Sequence, residues 1–111
     1  MKPVTFQFPR WTMAEMTGYE PKTTFWLDFC IADPFGADAV KDTFNRAFEE
    51  WKDDYIYLTE LVMVLNHKIW WHYENNEPLA RVYNDLWMLA DEYARDHLTG
   101  EELAYFYRTT D

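Results

Sequence analysis

Three histidines, one cysteine and twenty carboxylates are the residues of this chain with chemistry to offer. His67 and His72 stand five apart, a spacing that turns them to different sides of a helix instead of onto one metal ion. No His-Glu-x-x-His and no Glu-x-x-His pair occurs, so neither a zincin nor a di-iron carboxylate site is encoded. His72 and His97 can meet across antiparallel helices, but one pair makes an incomplete site, and no metal ligands are expected. The chain has no serine. Cys30, between Phe29 and Ile31, reads as a small buried apolar residue, with no charged neighbour to activate it as a nucleophile. Neighbouring carboxylates (Glu49-Glu50, Asp53-Asp54, Asp91-Glu92, Glu101-Glu102) point about 100° apart on a helix and form no acid/base dyad by spacing. Three unclustered glycines cannot cradle a phosphate. An enzyme would need a pocket gathering polar groups around Tyr57, His67 or His72 and Glu74. The expectation is a chain with no catalytic residues and no cofactor.

What remains is charge. Twenty acidic against ten basic residues give a net charge of −10. A phosphate backbone or an anionic membrane surface needs basic protein surface, so neither is an expected partner. The acidity grows along the chain, from net −1 over residues 1–37 to −3 over 38–73 and −6 over 74–111. Asp38, Asp42, Glu49 and Asp53 recur along one face of a helix, spanning about 22 Å at 1.5 Å per residue. Asp85, Glu92 and Asp96 form a second such row. Carboxylate rows on rigid helices present charge much as a nucleic-acid backbone does, and these seven residues are the candidate partner-binding set. A solvated outer face is the plainer account of either row alone.

The elements that position these residues are helical. At 111 residues there is room for one domain with one core. Residues 1–22 hold Pro3, Pro9, Pro21 and Gly18 around the alternating Phe6 and Phe8, and predict an extended aromatic arm. Residues 23–111 predict an all-α domain, a compact bundle of four to five helices. Thr23 or Thr24 caps a short helix through Phe25, Trp26, Phe29 and Ile31, which Asp33-Pro34 breaks. Asp33 then caps a second helix with Pro34 in its first position. Val40, Phe44, Ala47, Phe48 and Trp51 mark the inner face of that helix. A third helix over about Tyr55–Asn75 points Leu58, Leu61, Val62, Leu65, Ile69 and Tyr73 inward. Met63, Val64 and Trp70 widen its stripe, which makes it the buried centre. A fourth helix, about Pro78–Leu98, shows Leu79, Val82, Leu86, Leu89 and Tyr93. A capping box at Thr99–Glu102 opens a last short helix with Leu103, Phe106 and Tyr107. Twenty-two aromatic rings are many for one small core, so some are expected at a rim, groove or subunit contact. One cysteine, no apolar leader run and no long apolar stretch fit a cytoplasmic protein.

The segment Phe29–Gly36 with the helix after it has the spacing of a helix-turn-helix. Asp38 and Asp42 stand outward where a recognition helix needs basic and amide groups. From Thr24 onward the runs Asp28-Phe29-Cys30-Ile31-Ala32-Asp33, Lys41-Asp42-Thr43-Phe44, Leu58-Thr59-Glu60-Leu61-Val62-Met63-Val64-Leu65-Asn66 and Tyr107-Arg108-Thr109-Thr110-Asp111 resemble a group of small proteins encoded on phages and integrative elements of gut Firmicutes. The resemblance covers about three-quarters of the chain. It implies an accessory gene of a mobile element and supplies no catalytic residues. The leading expectation is a non-enzymatic interaction module, an acidic inhibitor or nucleic-acid mimic that occupies a basic surface of a host or defence protein. The alternatives are a structural or regulatory homo-oligomer, and a DNA-associated regulator of helix-turn-helix type.

Overall fold

Aspartate, asparagine and proline divide the chain into helices, as a computed structural model shows for residues 21–110. The expected aromatic arm lies outside these residues apart from Pro21 and Lys22. Five helices follow: α1 (Phe25–Ala32), α2 (Ala37–Trp51), α3 (Tyr55–His72), α4 (Glu77–His97) and α5 (Gly100–Thr110). A 3-10 turn, Asp33–Phe35, joins α1 to α2, and no strand occurs among the described residues.

Each helix starts where a side chain or carbonyl can take its unpaired amides. The Thr24 carbonyl accepts from the Asp28 amide at 2.8 Å, and the Thr23 hydroxyl accepts from the Phe25 amide at 3.1 Å. The Asp54 carboxylate accepts from the Ile56 and Tyr57 amides to open α3, and Asn76 accepts from Leu79 to open α4. At α5 the Thr99 carbonyl receives the Glu102 and Leu103 amides. The second start departs from expectation. Asp33 does not cap α2; Gly36 does, at φ 95° and ψ −173°, a conformation essentially reserved for glycine. Asp33 is freed to turn its carboxylate into the protein.

α3 is the centre and touches the other four helices. Leu58, Leu61, Val62, Val64 and Leu65 are buried along it, against Trp26 and Phe29 of α1, Val40 and Phe44 of α2, Tyr83, Leu86 and Ala90 of α4, and Phe106 of α5. Burying each such large side chain stabilises the fold by about 1.5–3 kcal/mol. The four-residue link 73–76 makes α3 and α4 antiparallel neighbours. Three aromatic or aliphatic assignments fail. α3 ends at His72, short of Asn75, so Tyr73 lies beyond it and is exposed, as are Trp70 and Leu89. The outward direction of Trp70 follows from the inner stripe of α3 running through Leu61, Leu65, Lys68 and His72, which leaves Trp70 on the far side.

Candidate functional site

The chemistry-bearing side chains gather where the sequence gives no local motif. Asp33, at the C-terminal end of α1, faces Lys68 and His72 of α3 and Tyr83 of α4. Lys68 Nζ lies 2.6 Å and His72 Nε2 2.8 Å from one Asp33 oxygen, and the Tyr83 hydroxyl donates to the other at 2.5 Å. A carboxylate at a helix C-terminus opposes the helix dipole, so these three donors are what hold it there. Burial alone would raise the Asp33 carboxyl. The His72 hydrogen bond, the Lys68 charge and hydrogen bond, and the Tyr83 hydrogen bond outweigh it and hold the group below its usual value. Asp33 is therefore ionised and only accepts, which makes His72 the donor. Burial, together with the Asp33 charge, pushes the Tyr83 hydroxyl far above the ordinary tyrosine range.

Lys68 is 0% exposed, and its ammonium sits 4.9 Å from the Trp26 ring, 5.7 Å from Tyr83 and 5.9 Å from Trp71. Such a cage of rings is what proteins use to take up a ligand's cation; here the chain's own lysine fills it. Cys30 is the correction to an expectation. It has a charged neighbour, Lys68 Nζ at 3.2 Å, and is half-buried. Burial still raises its thiol, with Lys68 acting in the opposite direction, so it is not activated. A fully buried carboxylate, Glu60, accepts from the Lys22 and Thr23 amides at 2.8 and 3.0 Å and from the Thr23 hydroxyl. It fastens the entry to α1 onto α3 as Asp33 fastens its exit. Neither Glu60 nor Lys68 was expected to matter; the available signal was a charge placed within the apolar run from Leu58 to Trp71.

The other candidate catalytic groups stay apart. Tyr57 stands in the first turn of α3 and His72 at its last residue, about 22 Å away along the axis. Glu74 is exposed beyond the helix end, and His67 is half-buried, its imidazole held below its usual value by desolvation. His97 ends α4, and its Nδ1–H donates to the Tyr93 carbonyl, 2.9 Å away. The antiparallel pairing puts it a helix length from His72, so the two do not meet. No group of three or more metal-ligating side chains occurs among the described residues.

The seven candidate binding acids, Asp38, Asp42, Glu49, Asp53, Asp85, Glu92 and Asp96, are all exposed. Asp85, Glu92 and Asp96 share one face of α4 as expected. On α2 the row is shorter: the helix ends at Trp51, so Asp53 falls in the following turn and leaves Asp38, Asp42 and Glu49. Asp42 pairs with Arg46 at 2.7 Å and Glu49 with Lys52 at 3.4 Å. α1, the turn and α2 do form a helix–turn–helix pair, but the exposed acids of α2 oppose a phosphate backbone.

Beside the α2 row runs an open groove of about 640 Å³ between α1 and α2. It is lined by the small side chains Ala32, Ala39, Thr43 and Ala47, by the larger apolar Phe25, Ile31, Phe35 and Trp51, and by the charged Asp28, Asp42, Glu50, Lys22 and Arg46. Ile31 and Phe35 are 59% and 77% exposed. No helix among the described residues is long and apolar enough to cross a membrane. Comparison with protein-family models, with curated proteins and with solved structures finds no match to this chain.

Proposed function

We propose that this chain is a non-enzymatic protein-interaction module, encoded by a mobile element and acting in the cytoplasm, that occupies a basic surface of a host or defence protein. The observation that carries this reading is the pair of exposed carboxylate rows, Asp38–Asp42–Glu49 on α2 and Asp85–Glu92–Asp96 on α4, each on one face of a rigid helix. Fixed helices space the charges at intervals of four and seven residues, so a basic groove that fits them gains several pairings without ordering a flexible tail. Asp33, Lys68, His72 and Tyr83 are meanwhile engaged with one another.

The test is capture of host proteins at about 50 and 500 mM salt, where the Debye length falls from roughly 14 to 4 Å. Basic proteins should be retained at low salt and lost at high salt. Replacing the six row residues by their amides should abolish capture. Capture indifferent to both salt and substitution would remove the charge-mimic reading.

A homo-oligomer is the second reading, favoured by Trp70 and Tyr73, which are 63% and 58% exposed and lie with rings 5.4 Å apart at the end of α3. A strict monomer in sedimentation at high concentration would dispose of it.

A further inference from the structure

We infer that the α1/α2 groove receives a basic amphipathic helix of the partner; this rests on the proposed binding role and adds to it an apolar anchor that the carboxylate rows lack. Three properties of the groove select that occupant. Its α2 side is lined by small side chains: Ala39, Thr43 and Ala47 repeat every four residues along that helix, so another helix can approach α2 closely there. Its length suits one helix, because Ala39 to Ala47 rises about 12 Å and apolar anchors at i, i+4 and i+7 rise about 10.5 Å. The rest of its lining differs in kind. Ile31 and Phe35 offer exposed apolar contact, while the exposed carboxylates Asp28 and Glu50 come from the two different helices that line the groove.

The charge of the surroundings decides the chemistry of the flanks. Arg46 is already paired with Asp42, and the α2 row continues the negative surface past the groove through Asp38 and Glu49. Over a chain of net charge −10, the complementary helix carries lysine or arginine beside its apolar face. The groove supplies desolvation and grip, and the rows supply approach and orientation.

The test uses the full chain and a synthetic 15-residue peptide of leucine and lysine with leucines on one helical face. The control peptide has the same composition in an order that scatters the leucines. Methyl resonances of Ala39 and Ala47 should move with the patterned peptide and not with the control. Thr43→Trp, which fills the trough, should weaken binding at least tenfold. Asp28→Lys with Glu50→Lys should weaken it to a similar degree, and circular dichroism should show both variants as helical as the parent. Binding that ignores Thr43→Trp and moves resonances near Asp85 and Asp96 instead would overturn the groove and leave the acidic rows standing. Failure of the patterned peptide to bind while a lysine homopolymer still binds in a salt-sensitive way would do the same. Failure of both would remove the groove and the binding role together. Contacts from residues 1–20 to the Ala39 and Ala47 methyls in the free chain would make the occupant this chain's own segment and overturn the inference.

Discussion

The cluster around Asp33 and the groove beside α2 lie on either side of the same turn, and they use charge in opposite ways. In the cluster, each charged group meets partners inside the protein: a carboxylate with three donors, and an ammonium within a cage of three rings. In the groove and along the rows, carboxylates face water, and their ion pairs are neighbours on a single helix. Buried charge specifies how the helices meet, since any other arrangement leaves it without a partner. Exposed charge costs the fold almost nothing and remains available to a second molecule. The residues with the most reactive chemistry are thus the architectural ones, and the least reactive surface is the one suited to binding.

Breaking the cluster should produce the largest change. Lys68→Ala leaves Asp33 facing a cavity without its cation and should cost about 3–5 kcal/mol, a fall in Tm of roughly 10–20 °C. Replacing both partners, Asp33→Asn with Lys68→Met, removes both charges while leaving an acceptor for Tyr83 and His72, and should recover part of that loss in thermal denaturation. If the double variant is no better than the single one, the cluster does more than satisfy buried charge.

Acid should separate the two regions next. Asp33 holds its proton less readily folded than unfolded, so its contribution is complete above the ordinary value of 3.8 and fades as pH drops through the lower folded value. His67 is held below 6.5 by burial, so the unfolded chain takes up that proton first and stability declines as pH falls beneath 6.5. His67→Gln should flatten the upper part of the decline in denaturation curves and leave the lower part, which belongs to Asp33. The smallest effect is expected from Asp38→Asn, Asp42→Asn and Glu49→Gln together, which should shift stability by no more than about 0.5 kcal/mol each while removing binding. A large loss of stability there would blur the contrast.

Periodicity and punctuation made most of the fold legible. Asp33-Pro34 and Thr99–Glu102 mark joints between helices by residue type, and Val40, Phe44, Leu58, Leu61 and Leu65 mark inner faces by spacing. The cluster was hidden because Asp33 lies 35 to 50 residues before Lys68, His72 and Tyr83 along the chain. Asp33 followed by proline has the local signature of a cap, and only the three-dimensional packing shows the carboxylate engaged elsewhere. Lys68 carried a weaker trace, falling three and seven residues after Leu65 and Leu61 on the inward stripe. The rows on α2 and α4 were legible because one helix face is a local property. The groove was not, since its two walls belong to different helices.

The carboxylates of Glu60 and Asp33 also bear on the order in which the chain assembles. α3 and α4 follow one another through a four-residue link, so the contacts nearest that link close small loops and are expected to form early. α1 is only eight residues long and is tied back by Glu60 at its entry and Asp33 at its exit, across 35 to 50 intervening residues. Closing those long loops comes late, and a segment that docks late is the one that detaches first. Amide exchange should therefore be fastest to appear in residues 25–32 and slowest in α3, with the α1 wall of the groove opening as a unit while the rest of the bundle stays closed.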